Sequence, residues 1–104
     1  MTDIYRAIAD PIRRQILKMT GQKECTQSEI VDAFAISQPA IIKHLTILKE
    51  EGLITERRSG RFCYYLLNQP AFQHNYKKLQ LELGTILENK LMNLKLYLEK
   101  DDEE

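Results

Sequence analysis

Cysteine is scarce in this sequence. Cys25 and Cys63 are the only two, too few for the disulfide framework that holds small secreted domains together. No stretch approaches the ~20 apolar residues of a membrane span, and the opening Met1-Thr-Asp-Ile-Tyr-Arg6 lacks the charged-then-apolar pattern of a signal peptide. A cytoplasmic protein with no membrane partner is therefore expected. An excess of one charge is also missing: 15 Lys and Arg stand against 15 Asp and Glu, which excludes a bulk polycation. There is no Gly-rich phosphate loop, no nucleophile paired with a base and no carboxylate pair in a pocket-forming context. Catalytic residues, a cofactor and enzymatic activity are not expected.

What is present is a globular composition, 43% hydrophobic and 29% charged, with room for one small domain and an appended helix. A domain of this size buries only about two-thirds of its unfolded surface, so pairing with a second copy would help stability. Zero net charge does not exclude nucleic acid, because local charge is what meets a phosphate. Residues 1–68 carry ten basic and eight acidic side chains, and residues 69–104 carry five and seven. The two segments are read as two parts, 1–68 binding DNA and 69–104 forming a C-terminal dimerisation helix with an acidic tail.

Helical signals dominate the first fifty residues. Asp10-Pro11 is a helix start, with Asp as N-cap and Pro at the first helical position. Ile12, Ile16, Leu17 and Met19 follow on one face, ending near Gly21, and Ile4, Ala7 and Ile8 form a short helix before it. Thr26-Gln-Ser-Glu29 is a capping box that launches Ile30, Val31 and Phe34. Ser37 caps a further helix over 38–51, with Ile41, Leu45 and Leu48 at i, i+4 and i+7. The period then changes from 3.6 to 2. Leu53–Arg58 and Arg61–Leu67 are β-prone runs joined by Ser59-Gly60, a hairpin signature. Beyond Asn68-Gln-Pro70 the pattern is helical to about Lys100, with Leu79, Leu83 and Ile86, then Leu87, Leu91, Leu94 and Leu98, as its apolar seam.

Two short helices joined by a tight turn, then a hairpin with a basic tip, make a winged helix-turn-helix: a mainly α fold with a small β-hairpin wing and a long C-terminal helix. The second of those two helices fits the major groove and offers its first turns to base edges. Ser37, Gln38, Pro39, Ala40, Ile42, Lys43 and His44 are the candidates there, and no acidic residue lies between Ser37 and Lys49. Gln38 suits adenine, Lys43 a phosphate or guanine, and Ile42 a thymine methyl. Arg57, Arg58 and Arg61 put three guanidiniums at the wing tip, suited to a narrow minor groove or the adjacent backbone. For His44, DNA contact and helix packing are equally compatible with its position. Ile4, Ile8 and the leucine seam are the candidate dimer surface.

Residues 7–17, Ile36-Ser-Gln-Pro-Ala-Ile-Ile-Lys-His-Leu45, Leu48-Lys-Glu-Glu-Gly-Leu-Ile54 and Arg61-Phe-Cys-Tyr-Tyr65 resemble the ArsR/SmtB family of bacterial winged-helix repressors, in one order over about residues 3–68. The resemblance implies a dimeric repressor that binds double-stranded DNA at an inverted repeat, with a dimer surface built from the N- and C-terminal helices. It does not carry over the inducer sites. Where the founding arsenic sensors have Cys-Val-Cys-Asp-Leu, this sequence has Thr26-Gln-Ser-Glu-Ile30. The last helix offers His74 without a second histidine, whereas a transition-metal site needs three or four converging ligands. No metal site is expected, and the inducer is unassigned. Cys63 reads as a core thiol alternating with Tyr65 and Leu67, and Cys25 as an incidental surface cysteine in a loop. The rival readings are a thiol- or metal-responsive repressor using Cys25 and Cys63, and a winged helix that binds protein instead of DNA.

Overall fold

Asp10 serves two helices at once. Its extended backbone ends α1 (Ile4–Ala9), while its carboxylate accepts from the N–H groups of Ile12 at 2.8 Å and Arg13 at 3.1 Å to start α2 (Pro11–Gln22). These bonds satisfy two of the donors that a helix N-terminus leaves without intrahelical partners. In this computed structural model the backbone is described over residues 3–102 and the side chains over residues 3–89.

After α2 the chain runs through β1 (Cys25–Thr26), α3 (Gln27–Asp32), α4 (Gln38–Glu50), β2 (Ile54–Ser59) and β3 (Phe62–Leu67) to α5 (Gln69–Asp102). It divides into two units, Met1–Phe72 and Gln73–Glu104. The other two expected caps form as well. Thr26 Oγ1 accepts from the Glu29 N–H at 3.1 Å, and Ser37 Oγ accepts from the Ala40 N–H at 3.3 Å. A glycine with φ 72°, Gly52, follows α4 and lets the chain turn back toward β2.

The sheet differs from the expected two-stranded hairpin. It has three antiparallel strands in the order β1-β3-β2, because Cys25 pairs with Tyr65 and Thr26 with Tyr64. The hairpin turn is Gly60-Arg61, and Ser59 is the last residue of its strand, opposite Phe62. Gly60 has φ 62° and, among the described residues, no non-glycine has positive φ, the pattern of a II′ turn, whose twist matches that of paired strands.

The core gathers one face from each element. Ala7, Ile16, Ile30, Ile41, Leu48 and Leu53 are fully buried, with Leu17, Leu45, Ile54 and Tyr65 beside them. Burying each large aliphatic contributes about 1.5–3 kcal/mol before entropy is counted. Thr20 is buried as well, and its hydroxyl donates to the Ile16 carbonyl at 2.9 Å. Cys25 corrects the surface reading: it is 1% exposed, and its thiol faces the Met19 and Lys23 carbonyls at 3.5 and 3.3 Å. Cys63 and Leu67 are half-buried against the core, alternating with buried Tyr65.

The second unit consists of the greater part of α5, which runs through Gly84 as unbroken helix. Leu79 is half-buried, while Leu83, Ile86 and Leu87 are exposed, as is Leu81 at 73%. The side chains of Leu91, Leu94 and Leu98 lie outside the described residues. Ile4 and Ile8, in the first unit, are half-buried against their own core.

Candidate nucleic-acid interface

The helix α4 sorts its residues by period. Ile41, Leu45 and Leu48 point into the core, which leaves Ser37, Gln38, Pro39, Ile42 and Lys43 exposed on the opposite side of its first two turns. Ile42 keeps 40% of its surface exposed. Ala40 is half-buried behind Ser37. The N-terminus thus presents an amide, an ammonium and an apolar contact, with its orphan donors partly capped.

His44 is turned another way. Its Nδ1 lies 3.0 Å from a terminal nitrogen of Arg13. A guanidinium only donates, so this nitrogen accepts and the ring carries its proton on Nε2. Arg13 also donates to the Ala7 carbonyl at 2.8 Å and the Arg6 carbonyl at 2.9 Å. It therefore ties the end of α1 to the middle of α4. Of the two roles open to His44, this is the packing one. Burial raises the Asp10 carboxyl, but backbone hydrogen bonds from Arg13 and Ile12 and the nearby Arg13 guanidinium outweigh it and hold Asp10 below the ordinary carboxylate value.

The three wing arginines separate into three environments. Adjacent strand residues point to opposite faces, so Arg57 and Arg58 part company. Arg57 sits opposite Tyr64, its guanidinium 4.4 Å from the ring centre, and grips Glu24 through two bonds of 2.7 and 3.2 Å. The hydrogen bond from Arg57 holds the Glu24 carboxyl below its ordinary value. Arg58 lies on the other face with Glu56, at 3.3 Å, and the same carboxylate holds Lys49 of α4 at 3.1 Å. The Lys49 hydrogen bond, ahead of that from Arg58, lowers Glu56. Arg61, in the turn, is exposed with its guanidinium 5.9 Å from the Phe62 ring centre.

Sequence reasoning grouped these arginines and missed their partners. Glu24 is 33 residues from Arg57, and no local pattern announces such a pair. Glu56 was legible, since a period of 2 puts it on the face of Arg58.

This geometry has known counterparts. The model of the bacterial regulatory protein, arsR family, matches residues 10–56. The transcriptional repressor SdpR of Bacillus subtilis (strain 168) is 41% identical over 73 residues, 70% of this chain and 81% of SdpR. The chain belongs to the arsR family. The HTH-type transcriptional repressor SmtB of Mycobacterium tuberculosis (strain CDC 1551 / Oshkosh) is 36% identical over 72 residues, 69% of this chain but 53% of SmtB, so the match spans about half of that relative. A solved ArsR-like transcriptional regulator from Rhodococcus sp. RHA1 shares the fold with a TM-score of 0.75 at 25% identity, covering 93% of this chain and 88% of that one.

This arsR-family chain is a DNA-binding transcriptional repressor and not an enzyme. The positions matching the arsenic sensors' two thiols hold Thr26, which caps α3, and Ser28, which is exposed. Burial, followed by the nearby Glu29 charge, pushes the Cys25 thiol up, away from the thiolate that binds metals or reacts. His74 is exposed on α5. Among the described residues, no three His, Cys, Asp or Glu side chains are grouped to hold a metal ion, and no helix is long and apolar enough to cross a membrane.

Proposed function

We propose that this chain is a homodimeric repressor that occupies a palindromic operator without a metal site. The observation that carries the DNA-contact part is the face of α4, where Gln38, Ile42 and Lys43 stand exposed opposite buried Ile41, Leu45 and Leu48. In the proposed complex Gln38 and Lys43 read base edges, Ile42 meets a thymine methyl, and Ser37 and Pro39 lie against the backbone. Arg58 and Arg61 bind phosphate or the minor groove beside it, while Arg57 braces the wing through Glu24 and Tyr64. His44 acts through Arg13 to set the pitch of α4, and Ala40 lets the helix approach DNA closely.

Homodimerisation is supported by the apolar side chains of α5: Leu81, Leu83, Ile86 and Leu87 are all more than half exposed, an arrangement that marks interaction surfaces in soluble proteins. Ile4, Ile8, Leu79, Leu91, Leu94 and Leu98 complete the proposed dimer surface. Two copies holding their recognition helices about 34 Å apart would engage successive major grooves and occlude polymerase. A metal-independent mode is supported by Thr26 and Ser28 at the thiol positions and by the buried Cys25. A repressor works where its operator DNA lies, which supports the cytoplasm as the working compartment.

Fluorescence anisotropy with the DNA upstream of the gene, beside a scrambled duplex, tests this reading. Specific binding at least ~10³-fold tighter than to the scramble is expected. Equal affinity for both duplexes would overturn it. Sedimentation of the free protein checks the dimer, and unchanged affinity with added zinc or chelator checks metal independence.

A further inference from the structure

One cleft of the first unit takes no part in the proposed DNA contacts, and it adjoins the proposed dimer surface only through Ile8 at its edge. It has a volume of about 300 Å³ and is lined by Ile8 of α1, Arg14, Leu17 and Lys18 of α2, Leu67 at the end of β3, and Phe72. That volume lies at the small end of the ~300–1,000 Å³ range of small-molecule sites. Four of the six lining residues are apolar, the other two are cations, and none is acidic. One terminal nitrogen of Arg14 donates to the Ile8 and Ala9 carbonyls at 2.9 and 2.8 Å, which fixes the guanidinium at the rim. Lys18 is exposed beside it, one helical turn further along α2. The cleft therefore has an apolar body and a positively charged edge.

We propose that this cleft binds a soluble monoanion carrying a short hydrocarbon tail, of the alkanoate class. The tail would lie against Ile8, Leu17, Leu67 and Phe72, and the carboxylate would meet Arg14 and Lys18. The charge pattern selects this occupant. A neutral apolar molecule would leave both cations without a counter-charge, and a cationic amphiphile would be repelled by them. The small volume favours a single short chain over the paired acyl chains of a membrane lipid.

Calorimetric titration of the full chain with octanoate, hexanoate, octanol and octylamine tests the site. Octanoate should saturate at one per chain. Its affinity should exceed that of hexanoate by about fourfold for each added methylene, because each buried CH₂ contributes about 0.8 kcal/mol. Octanol and octylamine should bind about tenfold more weakly, the effect of losing two exposed ion pairs. Lys18→Glu, an exposed substitution that should leave the melting temperature unchanged, should reproduce that loss for octanoate. The proposal falls if octanol binds as well as octanoate, if Lys18→Glu binds normally, or if anionic vesicles bind but free octanoate does not. It also falls if octanoate fails to bind wherever the chain self-associates, the result of a second copy filling the cleft. A parallel DNA titration keeps the two readings apart. Operator binding without octanoate binding overturns the cleft alone, and octanoate binding without operator binding overturns the DNA reading alone.

Discussion

Replacing the wing arginines one at a time should separate two kinds of effect. Arg57 is already matched by Glu24 through two hydrogen bonds, so placing it near DNA releases little additional counterion. Arg58 and Lys49 share the single carboxylate of Glu56, which leaves one positive charge between them, and Arg61 contributes another. Each phosphate neutralised steepens the dependence of log K on log salt by about 0.9, so raising salt from about 50 to about 200 mM weakens each such contact by about 3.5-fold. For two chains on one operator, Arg58→Ala with Arg61→Ala removes four contacts. The slope should then flatten by about 3.6, and the affinity lost between the two salts should shrink by about 150-fold. Arg57→Ala should leave the slope nearly unchanged and lower the melting temperature instead, because the strut to Glu24 and Tyr64 is lost. Glu24→Gln should act in the opposite sense, freeing a cation and steepening the slope. Anisotropy titrations at four or more salt concentrations read the slope directly. An equal flattening from Arg57→Ala and Arg61→Ala would refute the division of roles, and an unchanged slope in the Arg58/Arg61 double variant would refute the wing as a phosphate contact.

Gln38→Ala should cost operator affinity and relax discrimination at one base pair, by about 1–3 kcal/mol; His44→Ala should weaken all sequences alike, since its ring faces Arg13, and binding to an operator variant series distinguishes the two. Ser37→Ala removes the hydroxyl that caps α4 and should destabilise the fold by about 1 kcal/mol in urea unfolding. Ellman's reagent should label half-buried Cys63 in the native protein well before Cys25, which should react only on unfolding; equal rates would contradict the buried thiol. Tyr65 is buried and its phenol is pushed up from 10.0 to about 12, burial being the largest cause. Because the folded pKa is the higher one, its stabilising contribution is complete below pH 10 and is lost as pH rises toward 12, and ultraviolet absorbance should show one tyrosine titrating late.

Much of this fold could be read from local chemistry. Asp10-Pro11, Thr26 with Glu29, and Ser37 mark three helix starts, because a cap is a contact over two or three residues. The period of Ile41, Leu45 and Leu48 identified the buried face of α4, and therefore its exposed face. What escaped was non-local. β1 is only two residues long and exists because Cys25 and Thr26 find Tyr65 and Tyr64 some forty residues later. Hence Cys25 read as a loop residue when it belongs to the core. Thr20 is a polar residue outside that apolar pattern, yet its hydroxyl returns to its own helix and leaves the rest of the side chain free to be buried.

The candidate site divides along the same line. The exposure of Gln38, Ile42, Lys43 and Arg61, the residues proposed to act by their own position, was legible from helix period and turn placement. Residues that act through a partner were not: Arg57 becomes a strut only beside Glu24, and His44 becomes a packing residue only beside Arg13. The distinction bears on the neutral net charge of the chain. With fifteen cations against fifteen carboxylates, affinity for DNA depends on which cations are already matched. Glu24 and Glu56 partly neutralise the wing, so the charge offered to phosphate is smaller than three arginines and a lysine suggest. A wing of moderate charge limits the salt-dependent, sequence-blind part of binding. That would leave a larger share of discrimination to the uncharged contacts proposed for Gln38 and Ile42.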